Sequence, residues 1–85
     1  MTTEEIRKAV VSVVCEHMGK ESVLGSDKLD DDLGADSLDC VEIVIGIEEA
    51  LKVDVNEEAM HGNVTVNDLV GVVVKIMEAK NANQG

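Results

Sequence analysis

The stretch Asp32-Leu33-Gly34-Ala35-Asp36-Ser37-Leu38-Asp39 holds the residue best placed for chemistry, a serine between two acids. Ser37 follows a glycine-containing loop and stands at the predicted start of a helix. From residue 29 to residue 51 there is no Lys or Arg, against eight acids: Asp30, Asp31, Asp32, Asp36, Asp39, Glu42, Glu48 and Glu49. A serine needs a base to become a nucleophile. None is near in sequence: the two histidines, His17 and His61, each stand alone. A Gly-x-Ser-x-Gly elbow would need glycines at 35 and 39, where the chain has Ala35 and Asp39. The pattern suits a point of attachment on an acidic helix better than a hydrolytic site.

The acids do not form a calcium loop either. With Gly34 at loop position 6, Leu29, Leu33 and Cys40 fall where ligands are required. No specific metal site is expected, since lone histidines lack metal-site spacing. Weak divalent-ion binding by the clustered carboxylates is expected, because it relieves their repulsion.

Helices must position this serine. Residues 3–17 read as a first helix. Thr2 and Glu5 have capping-box spacing, and Ile6, Val10, Val13, Val14 and His17 share a stripe. The valines favour strand, but length, cap and charge spacing decide for helix. Residues 19–36 form a long connection that Val23, Leu24, Leu29 and Leu33 should pin to the core. Residues 37–51 read as the second helix, with Asp36 as N-cap and Asp39 three positions on. This helix carries two apolar stripes: Cys40, Ile43, Val44, Ile47 and Leu51, and Leu38, Val41 and Ile45. One core can bury only one stripe, so the second should be exposed and rimmed by Asp39, Glu42, Glu48 and Glu49. Such a surface suggests docking to a basic partner. The alternative is that both stripes are covered, by the long connection and by segment 57–62.

Asn56 can cap a short helix over 57–61 that Gly62 ends. Thr65 and Asp68 cap a last helix over 66–79, with Val66, Leu69, Val70, Val73, Ile76 and Met77 facing inward. Residues 81–85 should be a flexible tail. The fold expected is all-α: a small antiparallel bundle of three long helices and one short helix, with a long first loop.

Composition sets the outer limits. At 85 residues the chain forms one domain. Fifteen valines and no Phe, Tyr or Trp must fill its core, which should therefore repack readily. The net charge of −11 argues against nucleic acid and for basic partners. No apolar run reaches the length of a membrane span, and the N-terminus lacks signal-peptide regions. The expectation is a soluble, cytoplasmic monomer, or an organellar protein whose leader was removed. Cys15 and Cys40 make no disulfide framework and are expected as free thiols, with Cys40 packed as a small hydrophobe.

Asp-Ser-Leu at the head of an acidic helix, preceded by Leu-Gly-Ala and followed by Asp and then Val-Glu, resembles the acyl carrier proteins of fatty-acid synthesis. The likeness covers nearly the whole chain, with 1–80 as the carrier domain. It implies that Ser37 takes a 4′-phosphopantetheine arm from coenzyme A, installed by a phosphopantetheinyl transferase that reads Asp36 and Leu38. It implies docking to fatty-acid synthesis enzymes through Asp39, Val41, Glu42, Ile45 and Glu48. It implies acyl chains carried as thioesters on the arm, with no catalysis by the chain itself. The chain departs from the pattern in its lack of aromatics, in Asn56 where proline is common, and in Cys40. The Gly-Ala-Asp-Ser-Leu form differs from that of peptidyl carriers and favours an acyl cargo. A polyketide or specialised lipid carrier, or an unmodified acidic interaction module, are the competing readings.

Overall fold

The computed structural model describes residues 2–55 and 64–84, with side chains as far as Ala79. The short helix expected at 57–61, its cap Asn56, its stop Gly62 and His61 lie outside the described residues. Among the described residues the regular structure is helical: α1 (Thr3–Met18), α2 (Ser37–Leu51) and α3 (Val66–Gln84). The one strand-like feature is a single antiparallel bridge between Lys28 and Thr65.

Each helix starts where a local side-chain bond satisfies its first N–H groups. Thr2 Oγ1 accepts from the Glu5 N–H at 3.2 Å, and Glu5 Oε1 accepts from the Thr2 N–H at 2.9 Å. The same reciprocal box joins Thr65 and Asp68 at 3.0 and 3.1 Å ahead of α3. A cap of this kind is worth about 1 kcal/mol. α1 stops at Gly19, which takes φ +68° without the strain a Cβ would bring. α2 stops at Lys52 in the same left-handed region, with its N–H on the Glu48 carbonyl. α3 continues to Gln84, five residues past its expected end at Ala79. Residues 80–84 hold no glycine or proline, and the first such stop is Gly85.

The core joins Ile6, Val10 and Val14 of α1, Ile43, Val44, Ile47 and Leu51 of α2, and Val66, Leu69, Val70 and Val73 of α3. Each such side chain gains roughly 1.5–3 kcal/mol from burial, most of it offset by chain entropy. Tertiary burial thus overrides the strand preference of the valines. α1 and α2 run antiparallel: His17 at the end of α1 meets Asp39 at the start of α2. Farther along, Val13 packs at Gly46, where an added Cβ would lie 2.8 Å from Val13 Cγ1.

The long first connection is tied down by backbone bonds. The Leu29 N–H donates to the Val64 carbonyl, and the Val66 and Asn67 N–H groups donate to the Asp27 and Gly25 carbonyls, all at 2.9 Å. Leu29 is buried, and Val23 and Leu33 pack against the core as expected. Leu24 does not: it is 67% exposed. The chain turns at 24–27, with the Leu24 N–H on Asp27 Oδ2 and the Asp27 N–H on the Leu24 carbonyl, and this turn carries the leucine outward.

Candidate functional site

Residues 28–35 deliver the serine. The Leu33 N–H bonds back to the Lys28 carbonyl and the Gly34 N–H to the Asp30 carbonyl, both at 3.0 Å. Gly34 takes φ +76°, and a Cβ there would be strained. Ala35 then buries its methyl and bonds the Leu29 carbonyl at 2.8 Å. This anchor fixes the direction in which Asp36 leaves the loop.

Asp36 is the N-cap of α2. Its Oδ1 accepts from the Asp39 N–H at 2.9 Å, and Asp39 Oδ2 accepts from the Asp36 N–H at 3.1 Å. Ser37 is the first helical residue, and it is exposed. Its hydroxyl is held by no partner among the described residues. The first N–H groups of a helix and its dipole favour an anion at this point. A phosphodiester on the Ser37 oxygen would gain roughly 0.3–1 kcal/mol from the dipole. Asp36 and Asp39 oppose it by repulsion, although one oxygen of each is already engaged by a backbone N–H. The residues present therefore fit a phosphate-linked group.

The second apolar stripe of α2 is the outer one. Leu38 is 65% and Ile45 44% exposed, with Val41 half-buried between them, while Ile43, Val44, Ile47 and Leu51 are inside. Cys40 is half-buried against the core and is a free thiol. Burial, and then the carboxylates of Asp30, Asp39 and Asp36, raise its pKa above the ordinary thiol value.

The acids around the stripe differ in their ties. Glu42 is exposed. Glu48 is half-buried, and its Oε2 accepts the Val55 N–H at 2.9 Å, so this carboxylate also braces the chain after α2. Asp39 has its pKa lowered, first by the Asp36 N–H and then by His17. His17 does end α1 as expected, but it is not isolated. Its Nε2 lies 3.0 Å from Asp39 Oδ1 and 3.3 Å from Glu42 Oε2. Ionised carboxylates only accept, so Nε2 carries the proton. No local spacing in the sequence reveals this meeting, because His17 and Asp39 are joined by the packing of two helices.

The described residues thus form a small all-α bundle that offers an unheld serine at a helix tip, beside an exposed apolar stripe edged with acids. Comparison with known proteins gives the family of such a bundle. Residues 8–73 match the phosphopantetheine attachment site family. The chain is 44% identical over 82 residues to an acyl carrier protein of Prochlorococcus marinus (strain MIT 9515), covering 94% of this chain and 98% of that one. It belongs to the acyl carrier protein family, and it carries a phosphopantetheine attachment domain. No helix among the described residues is long and apolar enough to cross a membrane.

Proposed function

We propose that Ser37 is the attachment residue and that the chain carries acyl groups among the enzymes of fatty-acid synthesis. The observation that carries this reading is the exposed, unheld hydroxyl of Ser37 at the first position of α2. Ser37 Oγ would bond to the pantetheine-side phosphorus of coenzyme A as the phosphoanhydride bond breaks; adenosine 3′,5′-bisphosphate would leave with the bridging oxygen, and a separate transferase would take the hydroxyl proton. The arm, when bound, supplies the thiol that holds an acyl chain as a thioester. Tethering raises the local concentration of that chain at a docked active site.

The other residues have roles as surface. Asp36 and Leu38 flank the serine and are read by the transferase. Leu38, Val41 and Ile45 supply apolar contact, and Asp39, Glu42 and Glu48 supply charge for basic partners, which sets association rate and register. The chain itself performs no chemistry in this reading, as with other group carriers. His17 Nε2 is directed at Asp39 and Glu42, so it does not serve Ser37 as a base.

The test is a mass measurement. Incubation with coenzyme A and a broad-specificity phosphopantetheinyl transferase adds one arm to the chain. Ser37→Ala abolishes the addition while leaving the helical circular dichroism intact. An arm that still appears on Ser37→Ala, or never appears on the natural sequence, overturns the assignment.

A further inference from the structure

The junction of α1 and α2 brings together three side chains from separate parts of the chain. His17 comes from the last turn of α1, and Asp39 and Glu42 stand one turn apart on α2. One ligand atom from each lies within 4.8 Å of the other two. Two of the separations are 3.0 and 3.3 Å. Ligands about 2.1 Å from a tetrahedral Zn²⁺ stand about 3.4 Å apart, close to these two separations; an ion would take the Nε2 lone pair, with the neutral ring's proton then on Nδ1. Among the described residues neither carboxylate meets a Lys or Arg. His17 and Glu42 also line an open groove of about 570 Å³ between the helices, where Glu16 and Glu49 add two more acids. The groove leaves room for coordinated water and for a route of entry.

We propose that His17, Asp39 and Glu42 form a binding site for a borderline transition metal, Zn²⁺ above all. An imidazole with two carboxylates selects Zn²⁺ over Mg²⁺ and Ca²⁺, which take oxygen ligands. The fourth position is left to water from the groove. A bound ion clamps the end of α1 to the first turns of α2. It also neutralises Asp39, two residues from Ser37, and Glu42 a turn farther on. The site does not depend on Ser37 being modified, so its test and the mass test above can fail separately.

The experiment uses the unmodified full chain, freed of metal by a chelator and titrated with ZnCl₂ against a chromophoric zinc indicator. Imidazole resonances are followed by NMR. The expected result is one Zn²⁺ per chain, with the largest shift on the His17 ring. Loss of an outer-shell partner alone weakens a zinc site about 10- to 100-fold, so loss of the ligand in His17→Gln weakens binding at least about tenfold. His61→Gln and the double variant Cys15→Ser/Cys40→Ser leave the affinity unchanged. Equal Zn²⁺ affinity for His17→Gln and the natural sequence overturns the proposal. So does a titration whose shifts fall on His61 or the cysteines, or one that shows no stoichiometric binding.

Discussion

Gly46 tests how closely α2 is held against α1. A methyl at this position would sit 2.8 Å from Val13 Cγ1, against an ordinary carbon–carbon contact of about 3.5 Å, so about 0.7 Å must be found. Valine in a helix has one strongly preferred rotamer, so the methyl cannot swing aside freely. The helices themselves must part. Overpacking of this kind costs about 1–3 kcal/mol. Against it stands the helix preference of alanine over glycine, about 1 kcal/mol. Gly46→Ala should therefore destabilise the natural sequence by about 0–2 kcal/mol. In a Val13→Ala background the opposing methyl is gone, and the same substitution should stabilise by about 1 kcal/mol. The sign reverses, with a coupling of about 1–3 kcal/mol between the two sites. Urea unfolding followed by far-ultraviolet circular dichroism is the assay, because the chain has no tryptophan or tyrosine to report by fluorescence. Salt must be held fixed, given the charge of −11. If Gly46→Ala stabilises the natural sequence as much as it stabilises Val13→Ala, the close approach of α1 and α2 is wrong.

Two isoleucines on α2 should separate stability from docking. Ile47→Ala removes a fully buried side chain and should cost about 2–5 kcal/mol in urea unfolding. Ile45→Ala, on the exposed stripe, should stay within about 0.5 kcal/mol yet slow acyl transfer to a partner enzyme; a large loss of stability at Ile45 would contradict the assigned faces. Cys40 should alkylate more slowly than free cysteine at pH 8, since its raised pKa leaves less thiolate at any pH below it. Its rate should continue to climb above pH 9, and mass mapping of iodoacetamide adducts that found Cys40 as fast as a free thiol would refute the burial argument.

What the chain states locally, the amino-acid order determined. Helix starts were legible because each rests on bonds three residues apart: Thr2 with Glu5, Asp36 with Asp39, Thr65 with Asp68. The two stripes of α2 were legible for the same reason, since helical spacing alone assigns residues to a face, and the place of Ser37 at the head of α2 followed from its cap. Tertiary structure decided what depends on distant parts meeting. It turned Leu24 outward at a hydrogen-bonded turn, although its hydrophobicity suggested a pin. It tied the first connection to the start of α3 through Leu29 and Val64, a pairing with no periodic signal. It gave the Glu48 carboxylate to the Val55 N–H. It set His17 against Asp39 and Glu42, which lie 22 and more residues away. Capping and amphipathic spacing act within a turn or two of helix, whereas these contacts exist only once the hydrophobic faces of separate helices have been buried together.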